Sequence, residues 1–481
     1  MAETSKQFLK RFLGFSIGPL VSALIGFITV PITTYLVSPT DFGKSAMYTM
    51  GYSISSLFIF LGLDQAFVRE YNDEKNKKNL FWNSLIVPLV FSIIIGAIYI
   101  IFYKPVSILM FDSIEKYIIM ILAFSLPFAV IDRFNMLVIR MQEKAKLYSL
   151  FNIFNKLFVL IIMIPYLKFI DNSFKGIINA NFISLILLCL LEIYFVKENW
   201  KTKFCIDKKL LTNLFEFGLP LIPASIITWF FSSMDRIALR QWSTFEQIGI
   251  YSAAFKIVMV LGIVQQAFCT FWTPTAYRWH KQEVGNKKYM EVSDILITIM
   301  VILFSFIVLF KDIIIKILSE SYADAAVVVP FLLFLPIMYT VSETTTLGIS
   351  FSKKTSYNIL ISIVAAGTNY IGNFMLVPRM GALGASISTG VSYIVFFWMR
   401  TLISRKLWYK FDLNIYIVNI ILMLLLSITS IIFNKVYMNL IIILIVIIYN
   451  KKHVMNILSF CKATLGGMKN ERYNFSRRFR D

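Results

Sequence analysis

Three basic side chains interrupt long apolar runs: Arg133, Lys156 and Lys256. A cation held away from water is costly, and it persists where it meets a wet cavity or a partner. Lys156 lies about nine residues into its run, roughly 14 Å along a helix and near the middle of a ~30 Å hydrocarbon layer. Arg133 stands seven residues before Arg140, so the two share a helix face about 10 Å apart. Lys256 reaches a similar depth in a later run, with Ser252 one turn before it. Cationic donors at low dielectric are what a pyrophosphate requires to leave water, so these three are expected to bind an anion. The competing expectation is structural: Arg133 and Lys156 would pair with Asp132, Glu192 or a backbone carbonyl, or snorkel to an interface.

Polar residues surround these cations. Asn152 and Asn155 flank Lys156, and Asn369 and Asn373 stand one turn apart, with Ser362 one heptad before Asn369. Amides of this kind can hydrogen-bond a sugar or fasten one helix to another, and both readings stay open. The acids within apolar runs are Asp132, Glu192, Asp235 and Glu343. Asp132 or Glu343 could take up H+ or Na+ and couple movement to an ion gradient, or serve as part of a gate. Asp235 precedes Arg236, where a structural ion pair is expected.

The elements that must carry these residues are membrane spans. The chain has 481 residues, of which 58% are hydrophobic and 15% charged, with a mean hydropathy of +0.72. Apolar windows bounded by charged or Gly/Pro-containing loops are expected near 12–36, 43–63, 80–103, 117–139, 147–168 and 174–196. A second set follows near 214–235, 247–273, 292–316, 326–349, 357–377 and 380–403, and a last pair near 413–433 and 436–450. The expected fold is therefore an all-α integral membrane protein of about 14 transmembrane helices. The expected division is an N-lobe over 1–200, a C-lobe over 201–410, two extra helices over 411–450 and a basic cytoplasmic tail over 451–481.

Charge supports this map. The net charge of +20 would suggest nucleic acid on a soluble chain, but Lys and Arg here occupy short loops, so anionic lipid headgroups are the expected neighbours. Alternate loops differ in Lys and Arg content by about three to one, which places both termini in the cytoplasm. Cys189, Cys205, Cys269 and Cys461 show no metal or redox spacing, and neither a metal site nor a cofactor is expected beyond a coupling ion.

The two six-helix blocks also resemble each other at a nearly constant offset. Gly43 corresponds to Gly249, Pro127 to Pro336, Tyr148 to Tyr357 and Gly176 to Gly381, at spacings of about 205 to 209 residues. An even number of spans per block makes the repeats parallel, related by an axis along the membrane normal. Two lobes that rock about a shared cavity would be a transporter. Glu343 falls one residue from the position equivalent to Arg133, so the lobes were expected to present opposite charges that could pair as a gate.

The segments Leu36-Val-Ser-Pro-Thr-Asp-Phe-Gly43, Gly62-Leu-Asp-Gln-Ala-Phe-Val-Arg69, Gly218-Leu-Pro-Leu-Ile-Pro-Ala-Ser225, Asp235-Arg236, Gly249-Ile-Tyr-Ser-Ala-Ala-Phe-Lys256 and Val377-Pro-Arg-Met-Gly-Ala-Leu-Gly-Ala-Ser386 occur in order. Together they resemble the bacterial flippases of lipid-linked O-antigen or capsule repeat units, within the multidrug, oligosaccharidyl-lipid and polysaccharide exporter superfamily. The resemblance covers residues 8 to about 405. It implies two six-helix bundles with two appended helices, in the bacterial cytoplasmic membrane. It also implies a polyprenyl-pyrophosphate-linked oligosaccharide as substrate, with membrane lipids and the polysaccharide polymerase machinery as partners. Arg69 matches the family's arginine in the Gly-Leu-Asp-Gln segment, where it would touch a gate or a headgroup or act as a positive-inside anchor.

Rival classes fare less well. A membrane glycosyltransferase or polymerase needs catalytic groups outside the bilayer, yet the expected outside loops are short, there are only two histidines, His280 and His453, and no Asp-x-Asp pair occurs. A drug or cation antiporter would favour acids over deep cations. A flippase for a peptidoglycan lipid precursor is the nearest alternative. The topology is tested on a cysteine-free background: cysteines placed at Lys201, Lys287 and Lys469 should resist an impermeant reagent in intact cells, while those at Asp112 and Ser319 should react. Labelling of the first three from outside would overturn the orientation.

Overall fold

The computed structural model describes residues 5–201, 205–433 and 435–455. Most of the basic tail, and Cys461 within it, lie outside the described residues. Every regular element among the described residues is helical. The chain forms two compact units: one comprises Met1–Val260 with Leu318–Tyr322 and Val377–Ala382, and the other Leu261–Ile317, Ala323–Leu376 and Leu383–Asp481.

The first unit holds α1 (Ser5–Leu36), α2 (Pro39–Phe60), α3 (Leu63–Glu70), α4 (Lys77–Ile101), α5 (Tyr103–Phe111), α6 (Lys116–Met141), α7 (Ala145–Phe169), α8 (Phe174–Phe195), α9 (Lys197–Trp200), α10 (Lys208–Gly218), α11 (Ile222–Trp242) and α12 (Phe245–Val258). Its main helix pairs are α1 with α7, α4 with α6, α6 with α8, and α2 with α12. Leu80, Phe81, Leu126, Phe134 and Leu214 form a fully buried cluster that ties α4, α6 and α10 together.

The repeat is written into the backbone at the start of α2 and α12. Ser38 caps α2 by accepting the Asp41 N–H at 3.2 Å, and Thr244 caps α12 by accepting the Gln247 N–H at 3.3 Å. The third helical residue then reaches further in both repeats. Asp41 Oδ1 accepts the Phe174 N–H at 3.1 Å at the start of α8, and Gln247 Oε1 accepts the Ala382 N–H at 2.9 Å. Ala382 follows Gly381, whose φ of 52° and ψ of −128° break a long helical stretch. A left-handed φ of this kind suits a residue without Cβ.

α2 and α12 cross where neither backbone leaves room for a side chain. A Cβ on Gly43 would overlap the Phe245 carbonyl oxygen, and a Cβ on Gly249 would overlap that of Pro39. Pro39 and Phe245 are themselves repeat equivalents, so the two contacts are one contact seen from either side. This is the isologous geometry of a twofold axis, here within a single chain. At the far end of α2 the chain bends by 51° into α3, and Gly62 there lies against Gly218 of α10.

The second unit holds α13 (Leu261–Lys281), α14 (Asn286–Leu309), α15 (Lys311–Ile315), α16 (Ala325–Leu332), α17 (Phe334–Thr345), α18 (Leu347–Phe351), α19 (Tyr357–Leu407) apart from its Val377–Ala382 stretch, α20 (Asn414–Ile432) and α21 (Val436–Tyr449). Tyr416 donates to Ser293 at 2.7 Å, Ser293 meets Thr344 at 2.6 Å, and the Asn450 and Asn419 amides bond each other at 2.8 Å. These bonds lace α14, α17 and α20 together, with Asn450 immediately after α21. Elsewhere in both units many helical hydroxyls donate instead to a carbonyl of their own helix, as in Thr29 to Ile25, Ser184 to Ala180, Thr228 to Ala224 and Ser305 to Val301.

By length and hydropathy ten helices among the described residues can cross a membrane, or twelve if each of two bent pairs is one span. The expected count was fourteen. The difference has two sources: α19 joins two expected spans across Gly381, and α21 has 14 residues, about 21 Å of helix against a ~30 Å hydrocarbon layer. Gly43→Ala and Gly249→Ala should each lower thermal stability in detergent, by about 1–3 kcal/mol for a forced overpacking. Gly26→Ala, where nothing lies within 4 Å, should be neutral or mildly stabilising. Equal stability of all three variants would remove the crossing from the fold's essential contacts.

Candidate functional site

Two of the three deep cations come together, and a third joins them from a position that sequence reading assigned to structure. Lys156 of α7 and Arg236 of α11 lie close enough to Lys256 of α12 for their charges to act on it. Lys156 and Lys256 are exposed and Arg236 is half-buried. Lys256 Nζ lies 4.5 Å from the centre of the Phe42 ring, and the Arg236 guanidinium lies 5.2 Å from that of Phe255. The ring faces offer partial negative charge to these cations without supplying a counterion. Among the described residues none of the three forms an ion pair, whereas Arg133, Arg240 and Arg400 all do. The arrangement is a cationic surface with donor capacity to spare.

The stripe continues through two residues that sequence reading missed. Lys44 lies over Phe174 and Phe245 at 5.2 and 5.5 Å, and Arg240 lies 4.9 Å from the Phe245 ring centre. Arg240 also donates to the Ile108 and Leu109 carbonyls, each at 3.0 Å, and meets Asp112 at 3.4 Å. A signal was available, because Arg236 and Arg240 are four residues apart and therefore share a helix face.

Arg133 takes a different partner. Its Nη2 and Nε donate to Asp64 Oδ2 at 2.6 and 3.1 Å, and Gln65 Nε2 donates to the same oxygen at 2.9 Å. Arg133 is thus committed to an acid of the Gly62-Leu-Asp-Gln segment that was not among the expected partners. Glu343 accepts from Arg400 Nη1 at 2.7 Å, and Arg400 is further held by Ser342 and Thr346. Arg133 and Glu343, the two charges expected to pair as a gate, each have a partner within their own unit. Arg400 lies within the expected span 380–403 but close to its end, so it is grouped with the neighbouring loop cations and passed over as a candidate. The repeat equivalence survives in another form, since α6 and α17 each anchor one ion pair at corresponding positions with the charge reversed.

The remaining candidates occupy quieter places. Asp235 accepts a short hydrogen bond from the Tyr251 hydroxyl, inside the unit's core. Asn152 Nδ2 donates to the Tyr148 carbonyl of its own helix at 2.8 Å. Asn369 donates to Thr389 at 3.3 Å and accepts from Asn373 at 3.0 Å, both asparagines being buried within α19. These bonds hold two stretches of α19 together, as polar residues in membranes commonly do. Arg69, at the end of α3, lies over Phe217 at 4.9 Å and 3.6 Å from Glu70, with its side chain 60% exposed. Asp132 of α6 faces Glu192 of α8. Among the described residues no group of three or more His, Cys, Asp or Glu could hold a metal ion.

Fold and site together define a multi-pass, all-helical membrane protein with the architecture of the flippases and multidrug exporters. Residues 8–280 match the family described as Polysaccharide biosynthesis protein, and the chain belongs to that family. It is similar to an uncharacterized membrane protein of Methanocaldococcus jannaschii, 22% identical over 250 residues, which are 50% of this chain and 49% of that one. The chain thus matches about half the length of this curated relative. Among solved structures it resembles the lipid II flippase MurJ in an inward closed conformation, with a TM-score of 0.70 and 12% identity, covering 92% of this chain and 99% of that one. It also resembles an inward-facing multidrug resistance MATE family transporter of the MOP superfamily, with a TM-score of 0.63 and 13% identity, covering 82% and 97% of the two chains.

The Glu343–Arg400 pair is only 17% and 12% exposed at its two side chains, so breaking it should register. Glu343→Gln should cost about 1.5–3 kcal/mol, the scale of a charge-assisted hydrogen bond. A double-mutant cycle with Arg400→Gln, read by thermal unfolding in detergent, should show coupling of the same order. Strict additivity would mean that the two side chains meet without energetic consequence.

Proposed function

We propose that the protein is a flippase that carries a polyprenyl-pyrophosphate-linked oligosaccharide from the inner to the outer leaflet of the bacterial cytoplasmic membrane, for surface polysaccharide synthesis. The repeats over 1–200 and 201–410 would be the rocking lobes, with both termini cytoplasmic. The observation that carries this reading is the cluster of Lys156, Lys256 and Arg236, on three helices, with ring faces for company and no carboxylate among the described residues. Such a cluster is costly at membrane depth unless an anion visits it. Pyrophosphate is an anion that a lipid-linked sugar brings with it, and membership of the polysaccharide biosynthesis family supports the glycan part of the reading.

The charge balance of the site disfavours the antiporter reading, because an organic cation entering here would meet like charge. A flippase for a peptidoglycan lipid precursor needs the same pyrophosphate contacts, so the identity of the glycan decides between these two. Deleting the gene and analysing the lipid-linked glycan that accumulates makes that decision. Accumulation of a surface-polysaccharide repeat unit is the expected result, and accumulation of the peptidoglycan precursor alone would overturn it.

The site makes a separate demand. Loss of one charge-assisted phosphate contact is worth on the order of 1.5–3 kcal/mol, so Lys156→Gln and Lys256→Gln should each weaken substrate handling roughly tenfold or more. Lys156→Arg should retain more activity, and Lys156→Glu should do worst because it repels the pyrophosphate. The measurement is surface glycan at matched protein levels in the membrane. Wild-type display by Lys156→Glu would remove Lys156 from the site.

A further inference from the structure

The cationic cluster leaves unexplained the most confined acid in the first unit. Glu192 of α8 has 0% of its surface accessible, and neither of its carboxyl oxygens has a donor in bonding geometry. The polar groups it faces are the Asp132 carboxyl of α6 and the Asn135 amide of the same helix. Asn135 is equally buried, and its Oδ1 is taken by the Trp200 indole N–H at 3.0 Å. That bond leaves the Asn135 Nδ2, itself without an acceptor, on the side facing Glu192. One turn before Glu192, the Cys189 thiol donates to the Phe128 carbonyl at 3.3 Å, which fixes the approach of α8 to α6.

The cation whose charge reaches this pair is already engaged by another acid. Arg133 is adjacent to Asp132 in sequence, yet its guanidinium is bound to Asp64. The other titratable groups facing the two acids are the Tyr52 hydroxyl of α2 and the Cys189 thiol of α8, and both are neutral in their ordinary state. Two facing carboxylates repel each other, and neither Glu192 oxygen has a donor in bonding geometry that would stabilise its charge. A single proton between them removes one charge and supplies the missing donor. A metal ion fits less well, because Asn135 presents an N–H rather than an oxygen and the site offers only two carboxyls.

We propose that Asp132 and Glu192 bind one exchangeable proton between α6 and α8, and that it is the counter-ion moved when the flippase cycles. The second half of this statement rests on the transport reading above; the first does not. Asp132 reaches accessible surface and Glu192 does not, so the proton enters and leaves through Asp132 while Glu192 shares it. The balance is simple: a carboxylate takes H+ from water on one side to become a carboxylic acid, and returns it to water on the other, with no electron transfer. Two acids that share a site titrate as a pair, so the loading step belongs to both residues together.

Infrared spectroscopy of the purified full-length protein in lipid nanodiscs tests the site without requiring transport. At neutral pH the wild type should show a protonated-carboxyl band that shifts on deuteration, disappears as pH is raised and is lost in Glu192→Gln. Absence of that band from the wild type, or its survival unchanged in both Glu192→Gln and Asp132→Asn, would overturn the proposal. A band displaced by sodium chloride but not by potassium chloride would overturn it in favour of a sodium site. The transport half is read separately in cells at matched expression, where Glu192→Gln should flatten the pH dependence of glycan export and Glu192→Asp should restore part of it. An intact band with an export profile unchanged in Glu192→Gln would refute the coupling while leaving the proton site standing.

Discussion

The contact between α2 and α12 constrains most of what surrounds it. Two backbones can approach until each glycine meets the other helix's carbonyl only if Gly43 and Gly249 both lack side chains. That approach places Phe42 under Lys256 and brings Lys44 and Arg240 onto the ring of Phe245. It also determines where the caps of the two helices fall, so that Asp41 and Gln247 reach the beginnings of two further helical stretches. The cationic stripe therefore depends on a contact in which no charged residue takes part.

The polar interior divides into two chemically different regions. Around the crossing, Lys256 and Arg236 sit on aromatic faces without a carboxylate, and such sites keep their donors available to a ligand. Farther along the same unit, acids are satisfied or confined: Asp64 by Arg133, and Asp132 and Glu192 by each other. Separation of this kind lets one region hold an anion while the other changes its proton count, since direct pairing would cancel both.

Much of the architecture was legible because membrane physics leaves a periodic mark on sequence. Apolar runs of about twenty residues, and an offset recurring between Gly43 and Gly249 or Pro127 and Pro336, survive any amount of side-chain detail. The deep cations Lys156 and Lys256 were visible for the same reason. Their partners were less so. Asp64 lies in a short helix beyond a 51° bend, and nothing in the spacing indicates that it turns back toward Arg133. Arg400 was obscured by its place near the end of its expected span, beside the loop cations Arg405 and Lys406, and Arg236 by its neighbour Asp235, which bonds Tyr251 instead. Pairings between residues distant in sequence depend on helix rotation, which composition does not encode.

The hydroxyl groups that bond within their own helices have a mechanical meaning. A serine or threonine that donates only to its own preceding turn, as Ser184 and Thr228 do, carries no hydrogen bond across a helix interface, so a neighbouring helix can shift past it without leaving a buried polar atom orphaned. Such surfaces have low friction. The laced region around Ser293, Thr344, Tyr416 and the Asn419–Asn450 pair is the opposite, since any shift there would break several bonds at once. The distribution of self-bonded and cross-bonded hydroxyls thus separates bearing surfaces from frame, and it makes α14, α17 and α20 part of the frame.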